Sequence, residues 1–238
     1  LFIDGNGIPI AYRLFPGNAT DQTTLIPALE KSIDSMNFQK VIVVADGGLN
    51  TGPNIAHILS RGNGYILSKS TKKSDKTVKE WILDQDGYEW NDTRTFKVKS
   101  TIRSRRIKNE AGQTLEVREK LVCYWSKKHY DREYHENTKF IEYLNSVVAF
   151  PDKLKDKQKK IEQFLIKRQV DKSSGEVLDT DTHLAVDMDK IQEYLDLLGY
   201  YTVMTSEVDK SDHEIINKYH GLSRIEDSFR IIKGDLEG

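Results

Sequence analysis

The chain has 238 residues, 37% hydrophobic and 31% charged, enough apolar material for a core beneath a heavily charged surface. Its 36 basic and 37 acidic side chains leave a formal net charge of -1, which excludes a uniformly basic nucleic-acid coat but leaves room for local basic patches. One cysteine excludes an internal disulfide and a cysteine-based zinc cluster and fits a reducing cytoplasm, and no apolar run reaches the length of a membrane span.

Leu1, Phe2 and Ile3 read as a strand end. With neither an initiator Met nor a basic segment ahead of an apolar stretch, the chain is expected to be a fragment without a signal peptide. Asp4, Gly5, Asn6 and Gly7 are turn residues, and Ile8 to Phe15 forms the second arm of a hairpin. Thr20 or Asp21 can cap a helix through Leu25, Ile26 and Leu29, ending near Met36. The β-branched run from Val41 to Ala45 predicts a strand covered on both faces, in the middle of an α/β sheet, ending at Asp46, Gly47 and Gly48. A short helix around Asn54 to Ser60, a turn at 61–64 and a strand at 64–68 follow. Hairpin, helix, strand, helix, strand is most of an RNase H-like core without its first strand.

From about Thr71 to about Asp181 the pattern changes. Residues 88–125 alternate polar with apolar or aromatic positions, including Tyr88, Trp90, Phe96, Val98, Ile102, Leu115, Val117 and Leu121, around a turn at 109–112, which predicts antiparallel β structure. Cys123 lies in the apolar run 121–125 and is expected to be a buried structural thiol. A charged helix is expected from Asp131 to Val148, and a lysine-rich one from Pro151 to Gln169 with Leu154, Ile161, Phe164 and Leu165 as its apolar positions. Residues 171–182 read as a polar turn region. Gly199 to Thr205 returns to a strand, and a long helix begins at Ser211 with Glu214 completing a capping box. The expected division is 1–70 as the first part of the core, 71–182 as a β-rich insertion with charged helices, and 183–238 as the return to the core. The fold class is α/β, an RNase H-like core with a mixed sheet, interrupted by that insertion.

Asp46 stands at the C-terminal end of a buried parallel-type strand and is followed by two glycines. There a carboxylate is held rigidly by the strand and left open to a ligand by the loop, although an Asp-Gly pair also commonly just caps a turn. On the last helix Tyr219, Glu226 and Lys233 are spaced seven apart, so they drift only about 20° per step and share one face. Arg230 lies one turn beyond Glu226, and Ile215, Ile216, Leu222, Ile225, Phe229, Ile232 and Leu236 form the opposite stripe. An acid flanked by a tyrosine hydroxyl and cations suits a metal-bound phosphodiester, whereas the plainer reading is an amphipathic helix with Glu226 and Arg230 as a surface pair. His213 and His220 are expected to be exposed, and the six histidines show no metal-ligand spacing.

The run from Tyr219 to Lys233 resembles the signature of insertion-sequence transposases of the IS-four type, which is Tyr, two residues, Arg, three residues, Glu, six residues, Lys. Tyr219, Glu226 and Lys233 match it, Leu222 occupies the Arg position, and Arg224 lies two residues later. Val43 to Gly48 is similar to the second-Asp motif of these enzymes, and the stretch from Ile8 to Asp21 is similar to the strand and loop before it. The resemblance spans nearly the whole chain in the right order, with room between Asp46 and Glu226 for a β-rich insertion.

The resemblance implies a DDE-type catalytic core. Asp46 and Glu226 would be catalytic ligands of two magnesium or manganese ions that support cleavage and joining of DNA strands. Tyr219, Arg224, Arg230 and Lys233 would contact transposon-end phosphates, the partners would be transposon-end and target DNA and a second copy of the chain, and the protein would be cytoplasmic and nucleoid-associated in a bacterium. The first Asp of the triad is expected to precede Leu1, so this fragment alone is expected to bind metal poorly and to be inactive; Asp4 reads as a turn residue and Asp21 as a helix cap. Arg103, Arg105, Arg106 and Lys108 form either a DNA-contacting edge of the insertion or a solvated charged hairpin. The alternatives are an inactive transposase-derived DNA-binding remnant and an RNase H-like nuclease that cuts without joining.

Overall fold

The computed structural model describes residues 2–3, 8–11, 24–30, 39–149, 161, 163–169 and 182–222. β1 (Phe2–Ile3) pairs antiparallel with β2 (Pro9–Ala11), as the turn chemistry between them predicts. Residues 24–30 form helix α1, which buries Leu25 and Leu29 one turn apart.

β3 (Ile42–Ala45) and β4 (Gly64–Lys69) run parallel, and α2 (Gly52–Ser60) makes the crossover that a parallel pair requires. Thr51 caps α2 by accepting from Asn54 N at 3.4 Å. Gly52 allows its first turn to press on the backbone of Lys108, since a Cβ at this position would collide with the Lys108 carbonyl oxygen. α3 (Lys76–Leu83), capped by Asp75, leads to β5 (Glu89–Trp90), the long hairpin of β6 (Phe96–Lys108) and β7 (Thr114–Ser126), and helix α4 (Lys127–Ala149). β8 (Leu165–Gln169) pairs antiparallel with β9 (Thr182–Val186), and α5 (Met188–Asp196), β10 (Tyr200–Thr205) and α6 (Asp212–His220) follow.

Among the described residues the main sheet has six strands in the order β3-β4-β10-β7-β6-β5. β10 is antiparallel to both its neighbours, so the sheet is mixed. The fold is thus α/β with a mixed sheet, consistent with an RNase H-like core. Strands from 42–69, from 89–126 and from 200–205 all belong to this one sheet, with the late strand β10 lying between the early β4 and the insertion strand β7.

Directly paired residues share a face of the sheet. On one face Val43, Ala45, Tyr65, Leu67, Met204, Leu121 and Cys123 are buried under Ile55 and Ile58 of α2 and Val78 and Ile82 of α3. On the other, Ile66, Val203, Val122 and Tyr124 are buried under Ile215 and Ile216 of α6. A third cluster joins Leu144 of α4, Phe164 and Ile191 of α5. Cys123 is fully buried beside Tyr88 Oη at 3.2 Å, and burial pushes its thiol up to about 12, so it is the inert structural thiol expected. Among the described residues no helix is long and apolar enough to cross a membrane.

Several expectations need correction. The lysine-rich helix was expected to reach Gln169, but residues 165–169 are a strand. Ile161, Phe164 and Leu165 suit a helical stripe locally; the partner strand β9 and the packing of Phe164 against Phe140 and Tyr194 decide otherwise. Residues 151–160 lie outside the described residues. β3, expected in mid-sheet, is the last strand of the six among the described residues; Val43 and Ala45 are buried while Ile42 and Val44 are half-buried on the opposite face. Helices α3 and α5 were not read from the sequence. The charged helix begins four residues earlier than expected, at Lys127 rather than Asp131.

Candidate active site

The parallel strand β3 delivers Asp46 to its C-terminal end, where the carboxylate is exposed. Oδ1 accepts from Gly48 N at 2.9 Å and so caps the short turn Gly47–Leu49; no other hydrogen bond to this carboxylate is present among the described residues. The turn is closed by Asn50 N donating to Gly47 O at 3.3 Å and fixed to α2 by Asn54 Nδ2 donating to Leu49 O at 3.3 Å. The capping role and the ligand role weighed for Asp46 are therefore compatible, since one oxygen of the carboxylate serves the cap.

The second element is α6. Ser211 accepts from Glu214 N at 3.3 Å and the Glu214 carboxylate accepts from Ser211 N at 3.1 Å, the capping box read from the sequence. Its Ile215 and Ile216 are buried on the sheet, and Tyr219 packs against the same cluster as Ile42 and Val44 of β3. The helix bearing Tyr219 thus lies across the strand whose end bears Asp46. Gly221 keeps helical angles, φ −58° and ψ −21°, and Leu222 is helical again. Arg224, Glu226, Arg230 and Lys233 lie outside the described residues.

The basic stripe of β6 is divided by strand alternation. Arg103 and Arg105 point to the same face as Glu119 of β7, which is 0% exposed. Glu119 Oε1 accepts from Arg103 Nε at 2.9 Å and Nη2 at 2.6 Å, and Oε2 accepts from Arg105 Nε at 3.1 Å and Tyr65 Oη at 3.0 Å. Arg106 and Lys108 are exposed. The exposure of Arg106 and Lys108 suits a DNA-contacting edge and a solvated hairpin alike, while Arg103 and Arg105 are committed to an internal carboxylate. Lys97 and Lys99 on the same face are also buried. Lys97 donates to Tyr200 Oη at 2.8 Å, and Lys99 donates to Asp84 O at 2.6 Å and lies 4.4 Å from the Tyr88 ring centre. Burial holds the Lys99 ammonium below its ordinary value. Neither Glu119 nor these lysines could be singled out from alternation alone, because the β6–β7 register decides which charges meet.

Two histidines border Tyr219 and α6. His220 is exposed by surface but its Nε2 lies 3.1 Å from Tyr124 Oη; His213 is exposed, as expected. His129 stacks edge-on against Tyr201 at 4.8 Å, and its buried Nδ1 has no hydrogen-bond partner among the described residues. Burial lowers the pKa of both His129 and His220, and for His129 Arg132 and His220 lower it further. A depressed imidazole pKa means the unfolded chain binds the proton more tightly, so stability is lost as pH falls through the unfolded value of 6.5. The denaturant midpoint is expected to drop between about pH 7.5 and about pH 5.5, and the drop to shrink in His129→Gln. An equal drop in that variant would remove His129 from the explanation.

Asp46 offers a hard oxygen donor of the kind magnesium and manganese take, and magnesium is commonly held by one or two carboxylates together with substrate phosphates. Among the described residues no group of three or more His, Cys, Asp or Glu converges, so the described part supplies this one carboxylate. The donor chemistry fits a divalent cation shared with a phosphodiester.

A family model described as a transposase DDE domain matches residues 1–238. No curated protein and no solved structure matches the chain.

Proposed function

The chain belongs to the transposase DDE domain family, and on that premise we propose that it is a catalytic core for metal-dependent cleavage and strand transfer of DNA, of the IS-four type. The observation that carries this reading is the exposed Asp46 carboxylate at the end of β3, with α6 packed across that same strand. In this reading Asp46 and Glu226 hold two magnesium or manganese ions, which when bound sharpen a water or 3′-hydroxyl nucleophile and stabilise the leaving oxygen. Tyr219 and Lys233, with Arg224 and Arg230, bind transposon-end phosphates. The core acts as a homodimer on paired ends in a bacterial cytoplasm.

The test is a cleavage and joining assay with the full-length protein on duplexes carrying the ends of the element that encodes it. Cut and joined products with magnesium or manganese, and neither with EDTA, are the expected result. Cut ends without joined product would favour an RNase H-like nuclease, and binding without cutting would favour an inactive remnant.

A further inference from the structure

We propose that Glu119 and Lys120, neighbours on β7, are positioning residues for the two elements of this site. Glu119 steadies the turn behind Asp46, and Lys120 steadies the start of α6, the helix that bears Tyr219. The inference rests on the reading of Asp46 as a metal ligand and of Tyr219 as a phosphate contact.

Adjacent residues of a strand leave opposite faces of the sheet. On one face the buried Glu119 carboxylate orients Arg105, whose Nη1 donates to Asn50 Oδ1 at 3.3 Å. Asn50 Nδ2 in turn lies 3.7 Å from Met204 Sδ on β10, and Asn50 N closes the turn that Asp46 caps. An unbroken series of polar contacts thus runs from the middle of the sheet to the Asp46 turn. On the other face Lys120 Nζ donates to Lys210 O at 2.8 Å and lies 2.6 Å from Asp212 Oδ1, the first residue of α6. Lys120 is paired in register with Thr205, the last residue of β10, so this strut stands where β10 leaves the sheet for the helix. Burying charges is a poor route to stability compared with apolar residues of similar volume; what such contacts supply is direction. One peptide unit of β7 therefore sets where both elements stand relative to the sheet between them.

The experiment uses the full-length protein without DNA and reads amide hydrogen exchange and Mn2+ binding. Glu119→Gln should speed exchange at Gly48 and Asn50, although its side chain touches neither, and Lys120→Met should speed it at Glu214 and Ile215. Glu119→Gln should also weaken Mn2+ binding about tenfold, the usual size of a supporting-residue effect, and Lys120→Arg should keep parent-like exchange at Glu214 and Ile215. Asn50→Ala, which leaves the buried carboxylate in place, should reproduce the Glu119→Gln exchange pattern even if Glu119→Gln folds poorly. Unchanged exchange at those amides overturns the inference. So does Mn2+ affinity within about twofold of the parent while Asp46→Asn abolishes binding, and in that case the metal reading stands. Mn2+ binding indifferent to Asp46→Asn would sink both.

Discussion

Asp46→Asn is expected to slow DNA strand cleavage by about 10³-fold or more while leaving the fold nearly untouched. The loss follows from replacing an anionic metal ligand by a neutral amide, for which about 4 kcal/mol of transition-state stabilisation corresponds to that factor. The small structural effect follows from geometry. Asp46 is exposed, and its only described hydrogen bond is the acceptance from Gly48 N at 2.9 Å, which an asparagine oxygen can reproduce. Asn and Asp are about equal as N-caps, so stability should change by no more than about 0.5 kcal/mol. Single-turnover cleavage with Mn2+ and a denaturation curve on the same preparation give both numbers. Parent-like cleavage would remove Asp46 from the site, and a large stability loss would mean its role is mainly structural.

Glu119→Ala is expected to have the opposite profile, with a loss of about 3 kcal/mol in folding stability. The carboxylate is 0% exposed and receives donors from Arg103, Arg105 and Tyr65. Removing one partner of a buried ion pair costs about 3–5 kcal/mol because the other charges are left uncompensated. Here the arginine side chains keep 25% and 27% exposure, so water can reach them and the lower end of that range applies. Tyr65 cannot be rescued this way: it is fully buried, and burial, followed by the Glu119 charge, raises its hydroxyl pKa well above the ordinary value. Tyr65→Phe removes one donor and leaves the arginines paired, so about 1 kcal/mol is expected there. Urea unfolding of the two variants checks the order; a Glu119→Ala loss below that of Tyr65→Phe would show that the arginines do not depend on this carboxylate.

Glu119 also shows where sequence reasoning stopped. The alternation of β6 and β7 was visible, and so was the basic stripe of Arg103, Arg105, Arg106 and Lys108. Whether that stripe faces solvent depends on the pairing of Arg103 with Glu119, and a shift of one residue would have turned every side chain to the other face. The α3 and α5 helices were missed for a related reason: at 8 and 9 residues they are short, and their stability comes from burying Val78, Ile82 and Ile191 against other elements.

By itself the sequence determined the features whose causes are local. The capping box at Ser211 and Glu214, the turn joining β6 to β7, the apolar setting of Cys123 and the position of Asp46 at a strand end all follow from neighbours within a few residues. Tertiary structure alone decided which distant segments meet. It placed β10 between β4 and β7, gave 165–169 a strand partner in place of a helical stripe, and set α6 across β3. The physical reason is that periodicity records which face of an element is apolar. The burial of that face is satisfied by any suitable partner, and only the whole chain settles which one it receives.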